Sequence, residues 1–258
     1  MLFQTYPITL YFTLILMMTR VSASIIKNLW IVRHGQAMHN PRAEAAKERG
    51  CSHDEFLNWM KQDDVLDADL TELGKEQAIN VGMKKNWGIL DLIVASPLSR
   101  AIRTADLLTP STLFEPTKRI AVEHFREING WLLNAKRRNV EELQEIFPKW
   151  DFGELTPRDD LWSDVLEAED SCSERGYQGL CWIMKRQEEN VLLVAHGGIL
   201  RYMMQTHPLV KMVDRRTNGK SRSLDARFDN CEARHYQITW EQQEDNSKPK
   251  ISLHEIDP

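Results

Sequence analysis

The chain has 258 residues, 42% of them hydrophobic and 28% charged, so it can bury one substantial core and a single domain is expected. The formal net charge of -5 gives no electrostatic reason to expect nucleic acid as a partner, although a local group of arginines can still bind a small anion. Four cysteines without a CxxC pair are too few and too scattered for a disulfide scaffold or a zinc site. We expect free thiols, with pairing of Cys172 and Cys181 as the alternative in an oxidising compartment.

The N-terminus has features of a targeting signal. Residues 8–18 are uncharged and mostly apolar but too few to span a bilayer, and the small residues Val21, Ser22 and Ala23 follow in a pattern typical of a cleavage site. No Lys or Arg precedes the apolar run, which leaves an uncleaved anchor or a misassigned start codon as alternatives. We predict that 1–23 is a signal or targeting segment and that the mature chain has no stable membrane span. Use of the signal would place the protein in the secretory pathway or an organelle; otherwise it would be cytoplasmic.

Apolar runs of strand length alternate with helical patterns along the chain. In chain order we predict a strand at 29–33, a helix at 41–61, a helix that begins after Thr71 as N-cap, a strand at 90–95, a helix at 99–108, a strand at 120–122, a helix at 140–147, a helix from 171 or 173 to 190, a strand at 191–195, a helix at 199–205 and a strand at 233–240. This alternation predicts an α/β fold of three layers, α/β/α, with a mainly parallel central sheet. The domain is expected to cover 24–241 and to be followed by a polar tail at 242–258, while the acidic stretch 151–170 is expected to be a loop.

Two of the predicted strands end in the same way. One apolar run leads into Arg33-His34-Gly35, and another leads into His196-Gly197-Gly198. In open α/β sheets ligands bind beyond the carboxyl ends of the strands, so both imidazoles are expected in one crevice beside an arginine that suits a phosphate. Arg100 and Glu127 follow two further predicted strands and are expected at the same edge. The arrangement indicates phosphoryl chemistry at a histidine.

Several motifs follow one another in a specific order: Arg33-His34-Gly35 with Asn40 after it, Leu70–Ala78 with the pattern L-T-x-x-G-x-x-Q-A, Ser96–Thr104 with the pattern S-P-L-x-R-A-x-x-T, and Ala195-His196-Gly197. With these motifs the chain resembles the histidine phosphatase superfamily in its phosphoglycerate-mutase-like branch. The resemblance covers roughly residues 29–236. The plant and yeast phosphoglycerate-mutase-like members of the family look similar around 136–147 and 228–234.

The resemblance implies a role for each matching position. His34 would be the nucleophile that forms a phosphohistidine, and Glu127 would donate a proton to the leaving alcohol. His196 would take part in catalysis as well. The residues implied to hold the phosphoryl group are Arg33, Asn40, Arg100, His196 and Gly197. No metal or other cofactor is implied.

Some of these positions have alternatives. Glu123 is the alternative to Glu127, and Arg103 is the alternative to Arg100, since each pair stands close together in the sequence. Asn40 also suits a turn or a helix cap.

The basic run 136–138 and His39 are harder to assign. Residues 136–138 either contact a second anionic group of the substrate or form a solvated charge run at the following helix. We expect His39 to be structural.

The residue types suit the chemistry. In the absence of a metal, charge on the phosphoryl oxygens must be met by arginine, whose planar fork matches phosphate bidentately. Imidazole, with a pKa of about 6.5, is largely neutral at physiological pH and is a competent nucleophile. We therefore predict a metal-independent phosphatase that acts on a small phosphorylated substrate. The alternatives are a mutase of the phosphoglycerate type and a catalytically inactive module that binds a phospholigand or a partner. The oligomeric state stays open.

Overall fold

The computed structural model describes residues 25–214, 226–243 and 247–256. The predicted signal segment, 1–23, lies outside the described residues. Within the described ranges, every helix is too short or too polar to cross a bilayer.

The described residues form one seven-stranded sheet with helices on both faces. The strands are β1 Ile25–Arg33, β2 Leu92–Ala95, β3 Lys118–Ala121, β4 Asn190–Ala195, β5 Val210–Asp214, β6 Ala233–Glu241 and β7 Lys250–Ile256. Their order across the sheet is β3-β2-β4-β1-β6-β7-β5. Four of the neighbouring pairs are parallel, and β6 runs antiparallel to both of its neighbours, β1 and β7. The predicted mainly parallel sheet is confirmed.

The helices connect the strands and cover the sheet. They are α1 Pro41–Glu48, α2 His53–Gln62, α3 Glu72–Lys84, α4 Ser99–Leu108, α5 Ser111–Phe114, α6 Val140–Ile146, α7 Glu169–Lys185 and α8 Gly197–Arg201. Short 3-10 turns lie at Glu123–Phe125 and Leu133–Ala135, and one π-helical turn lies at Tyr202–Thr206.

Alternating side chains of the strands build two cores. Leu29 and Ile31 of β1 belong to a cluster that includes residues of α7 and α8. Trp30 and Val32, which point to the opposite face, belong to a second cluster with residues of α4. Because both faces of the sheet are covered by helices, the predicted three-layer architecture is confirmed.

The predicted helix 41–61 is two helices. Gly50, with a left-handed φ of +82°, follows the end of α1, and Ser52 begins α2 with a capping box in which Glu55 is the partner. The start of α7 also differs from the prediction, since its N-cap is Ala168. Thr71 caps α3 as predicted, and its hydroxyl accepts a hydrogen bond from the backbone N–H of Gly74 at 3.0 Å.

The predicted polar tail, 242–258, is wrong. Residues 250–256 form β7, which lies between β6 and β5 in the sheet. Ile251 and Leu253 are fully buried and alternate with more exposed neighbours, which is the pattern of a half-buried strand. The polar composition of the surrounding residues hid this short alternation.

The four cysteines are free thiols. Cys172 and Cys181 lie nine residues apart on the same helix, α7, which separates them by about 14 Å along the helix axis. A disulfide requires Cα atoms within about 7 Å, so the geometry excludes this pair.

Candidate active site

His34 and His196 lie side by side because their strands are neighbours. β1 and β4 run parallel with Arg33 opposite Ala195, so the next residue of each strand emerges at the same edge of the sheet. The centroids of the two rings are 4.9 Å apart, and the ring planes are inclined at 60°. His34 is 3% exposed and His196 is 0% exposed, so both imidazoles are shielded from water. The two histidines thus share one buried site.

Glycines bring the loop after β1 into contact with the first turn of α3 beside this site. The backbone N–H of Gly35 donates a hydrogen bond to the hydroxyl of Thr104 at 3.1 Å. A Cβ atom added to Gly35 would lie 2.5 Å from the carbonyl oxygen of Gly74, and one added to Gly74 would collide with the carbonyl oxygen of Gln36. Only glycine permits this approach, which explains why the loop after β1 and the first turn of α3 carry glycine at these positions.

The hydrogen bond of His34 determines which ring nitrogen can react. Nδ1 lies 2.6 Å from the carbonyl oxygen of Gly35. A carbonyl oxygen can only accept, so in the neutral ring Nδ1 carries the hydrogen and Nε2 keeps its lone pair. Burial, followed by the charges of Arg100 and Arg33, holds the pKa of His34 well below its usual range. The site therefore presents a neutral imidazole with a free Nε2.

His196 is oriented by the strand next to its own. Its Nε2 lies 2.7 Å from the hydroxyl oxygen of Ser96, which follows β2 directly. Burial is the largest cause that lowers the pKa of His196, and the charge of Arg100 comes next. Its Nδ1 is buried and has no hydrogen-bond partner among the described residues.

Arg100 lies in the first turn of α4, just beyond the end of β2, and is buried. One of its terminal nitrogens, Nη1, donates to the carbonyl oxygen of Asn134 at 2.6 Å. Burial lowers the pKa of Arg100 to about 10, so the guanidinium stays charged at neutral pH. Arg103, the alternative from the sequence, instead donates to Asp69 and lies 4.8 Å from the ring centroid of Phe147.

Arg33 is held from two sides. Its Nη1 donates to the carbonyl oxygen of Phe228 at 2.9 Å, and its Nη2 donates to the Glu44 carboxylate at 3.3 Å. A Cβ atom built on Gly197 would lie 3.5 Å from its Nε. The Arg33 side chain therefore lies against the first residue of α8, beside His196.

Unpaired buried nitrogens gather at this place. Ten buried side-chain polar atoms have no hydrogen-bond partner among the described residues, and four of them belong to this site: Arg33 Nε, His39 Nδ1, Arg100 Nε and His196 Nδ1. Buried polar groups are nearly always paired, so a cluster of unpaired cationic and imidazole nitrogens is the environment that an oxyanion satisfies.

His39 is one of the residues with an unpaired buried nitrogen, and the sequence analysis did not place it in the site. It is buried, and after burial itself, the charges of Arg100 and Arg33 are the causes that hold its pKa well below its usual range. Its position in the loop that follows His34 was the signal in the sequence. His39 is therefore a third buried imidazole near the two guanidinium groups, and its structural role stays a prediction.

Asn40 supports the loop that carries His39. Its side-chain oxygen accepts a hydrogen bond from the backbone N–H of Ala37 at 3.0 Å, and its amide nitrogen lies 3.9 Å from the sulfur of Met60. These contacts are those of a turn residue, the alternative that its sequence position allowed.

The Glu127 side chain lies against the N-terminus of α8, the helix that begins immediately after His196. Its carboxylate accepts hydrogen bonds from the backbone N–H groups of Ile128, Gly198 and Ile199 at 2.9, 3.1 and 2.9 Å. A Cβ atom on Gly198 would collide with this carboxylate, so the glycine makes room for the acid.

Glu123, the alternative to Glu127, is committed to structural ion pairs. It pairs with Arg126 at 3.2 Å and with Arg137. Arg126 also pairs with Asp159 at 2.8 Å. Glu127, and not Glu123, therefore contacts the N-terminus of α8, which directly follows His196.

The basic run 136–138 is not an open anion site. Lys136 lies 4.5 Å from the ring centroid of Trp162. Arg137 is buried, and it donates to backbone carbonyl groups of the following loop as well as to Glu123. Arg138 lies 3.4 Å from Asp67 and 3.9 Å from Glu142 of α6. Neither alternative from the sequence describes Arg137, which is a structural residue.

No cluster of three or more His, Cys, Asp or Glu side chains that could hold a metal ion occurs within 25–214, 226–243 and 247–256.

The fold and the site define a class of protein. Residues 29–212 match the family model of the histidine phosphatase superfamily, branch 1. The chain belongs to this superfamily, which confirms the resemblance that the motifs indicated.

Relatives in a plant are similar over most of their length. Phosphoglycerate mutase-like protein 1 of Arabidopsis thaliana is 28% identical over 248 residues, which cover 81% of this chain and 79% of that protein. A further phosphoglycerate mutase-like protein of the same plant is 28% identical over 212 residues, covering 70% of this chain and 74% of the relative.

Solved structures are similar at lower identity. The ecdysone phosphate phosphatase of the silkworm Bombyx mori, in complex with tungstate, aligns over 90% of this chain and 92% of its own, with 15% identity and a TM-score of 0.49. A mycobacterial glucosyl-3-phosphoglycerate phosphatase aligns over 88% of this chain and 97% of its own, with 17% identity and a TM-score of 0.45.

Proposed function

We propose that the protein is a metal-independent phosphatase that hydrolyses a small phosphomonoester through a phosphohistidine at His34. One observation carries the proposal: two buried imidazoles, 4.9 Å apart, share a pocket with Arg33 and Arg100, and the unpaired nitrogens of that pocket match an oxyanion. Family membership supports the same class of chemistry.

In the first step the lone pair on Nε2 of His34 attacks phosphorus, and the bond from phosphorus to the ester oxygen breaks. The negative charge on the phosphoryl oxygens is met by Arg33, Arg100 and His196, which are fixed before the reaction begins. The leaving oxygen takes a proton from the Glu127 carboxyl group and departs as an alcohol.

In the second step water attacks the phosphorus of the phosphohistidine. The Glu127 carboxylate takes a proton from this water, and the bond between phosphorus and Nε2 breaks. Inorganic phosphate leaves, and Nε2 of His34 regains its lone pair. The backbone N–H groups that hold Glu127 keep the same carboxyl group in place for both steps.

The main alternative is a mutase, in which a second hydroxyl group takes the phosphoryl group from His34. The names of the Arabidopsis relatives favour it. The contacts of Arg126 and Arg137 favour hydrolysis, because both buried cations are already paired with Glu123 and are not free to bind the carboxylate of a phosphorylated sugar acid. An inactive binding module would be expected to lack part of the pocket, and the residues of this pocket are all present.

A comparison of two activities on the full chain tests the proposal. We expect release of inorganic phosphate from members of a panel of phosphorylated metabolites in the presence of EDTA. Interconversion of 2- and 3-phosphoglycerate should be at least about 100-fold slower than the best hydrolysis, which corresponds to about 2.7 kcal/mol between the two transition states. Interconversion that is faster than phosphate release would establish the mutase instead. If the protein showed neither phosphate release nor interconversion, the binding module would be favoured.

A further inference from the structure

Two buried aspartates of the loop between α2 and α3 contact the elements that hold Arg100. Asp67 is 1% exposed and has a left-handed φ of +46°, and the Asp64 side chain is 5% exposed. Burying a carboxylate is costly unless it is well paired, so both side chains are expected to have a specific role.

Asp67 fixes the helical end of Arg100. One carboxylate oxygen accepts the backbone N–H of Ser99 at 2.8 Å, and the other accepts the Ser99 hydroxyl at 2.5 Å. Ser99 is the first residue of α4 and directly precedes Arg100. Burial raises the pKa of Asp67 to about 6, so its carboxylate is largely ionised at neutral pH and supplies negative charge near the buried guanidinium.

Asp64 fixes the far end of Arg100. Its carboxylate accepts hydrogen bonds from the backbone N–H groups of Leu133 and Asn134, both at 2.8 Å, and from the Asn134 side-chain amide at 3.0 Å. The carbonyl oxygen of Asn134 in turn accepts the hydrogen bond from Nη1 of Arg100 at 2.6 Å. The backbone N–H of Asp67 also donates to the carbonyl oxygen of Leu133, so one loop holds both ends.

We propose that Asp64 and Asp67 are positioning residues that aim the Arg100 guanidinium at the transferring phosphoryl group. The proposal rests on the proposed function. Arg100 shares its pocket with another guanidinium group and three imidazoles, and among the charges around it Glu127 and Asp67 favour its cation whereas Arg126 and Arg33 disfavour it. The two aspartates oppose its displacement, one through the backbone of α4 and one through the Asn134 carbonyl group. A displacement of about 1 Å at such a group costs about 100-fold in rate.

Isosteric variants test this role. Asp67→Asn and Asp64→Asn keep the shape of the loop but remove the charge, and Asp63→Asn is the matched control because Asp63 pairs with Arg42 instead. We expect kcat/KM for a phosphomonoester and the affinity for orthovanadate to fall about 10- to 100-fold in the first two variants. The melting temperature should stay within a few degrees, and the control should match the wild type.

A double-mutant cycle shows whether the aspartates act through Arg100. In an Arg100→Ala background, Asp67→Asn should change orthovanadate affinity by less than about twofold, because the group that it positions is gone. An equal loss in both backgrounds, or wild-type behaviour of both aspartate variants, would overturn the inference. Should either variant fail to fold, Ser99→Ala removes one contact of Asp67, and unchanged affinity in that variant would count against the inference too.

These experiments distinguish a failure of the positioning role from a failure of the proposed function. If the wild type binds orthovanadate but does not release phosphate from any substrate, the proposed function fails, and the cycle still tests the positioning of Arg100. If the wild type hydrolyses substrate and the aspartate variants equal it, only the positioning role fails.

Discussion

The two halves of the sheet differ in strand direction and in what their ends present. In the half formed by β3, β2, β4 and β1, adjacent parallel strands end at the same edge. His34 and His196 directly follow β1 and β4, and Arg100 and Glu127 come a few residues after β2 and β3. The other half, formed by β6, β7 and β5, is called the antiparallel half because β6 runs antiparallel to both of its neighbours, and it places none of its strand residues in the site. It supports the site indirectly, because the segment before β6 supplies the Phe228 carbonyl group that holds Arg33.

This difference shows that the residues of the candidate site come from one half of the sheet, while the other half holds them in place. Parallel neighbours deliver side chains from distant parts of the chain to one edge, which an antiparallel pair cannot do because its strands end at opposite edges. Substitutions beyond the strand ends of the parallel half should therefore act on turnover, while substitutions within the strands of the antiparallel half should act on stability.

A large effect on turnover is expected at Glu127, at the edge of the parallel half. Glu127→Gln keeps one of the two oxygens that accept backbone N–H groups and cannot exchange a proton, so kcat should fall about 10²- to 10⁴-fold. The loss should be greatest for esters of poorly acidic alcohols and smallest for p-nitrophenyl phosphate, whose leaving group needs little protonation. Steady-state kinetics over a series of leaving groups measures this.

The control for that experiment is Glu141→Gln, on the exposed side of α6, which should match the wild type. An equal loss with every leaving group would contradict a proton-donor role for Glu127 and would leave it as a structural cap of α8.

A core substitution in the antiparallel half is expected to change turnover less than Glu127→Gln does, but to lower stability clearly. Leu253→Ala of β7 removes a fully buried side chain from the core that contains α7, so it should lower the free energy of unfolding by about 2–5 kcal/mol. The kcat of the folded fraction should stay within about twofold, since Leu253 is remote from the strand ends that carry the site.

Ser252→Ala, on the opposite face of β7, serves as control and should change stability by less than about 0.5 kcal/mol. Denaturant unfolding together with kcat at the same temperature measures both quantities. A loss of kcat in Leu253→Ala without a loss of stability would break the comparison between the two halves.

The strand-end residues could be predicted from the sequence because their signals are local. Two apolar runs each predict a strand, and a polar site residue follows within a few positions. One run is followed by Arg33-His34-Gly35 and the other by His196-Gly197. The helix at 99–108 was predicted with its observed bounds for the same reason, since the proline before it and the proline after it limit the helix.

The remainder depends on contacts between distant segments. Asp64 and Asp67 stand in a polar stretch that reads as a surface loop, and their burial follows from Leu133, Asn134 and Ser99, which lie 32 to 70 residues away. The strand β7 was missed because its apolar residues are few and only its pairing with β6 and β5 buries them. The pattern of residues along the chain predicts local secondary structure but does not predict which distant segments pair or pack against each other.

The most direct measurement is the identity of the phosphorylated residue. After rapid mixing with a radiolabelled phosphomonoester and an alkaline quench, the account predicts acid-labile label on a single peptide that contains His34, and no label in His34→Ala, whose turnover should fall at least about 10³-fold. Label on another residue, or undiminished turnover in His34→Ala, would contradict the account.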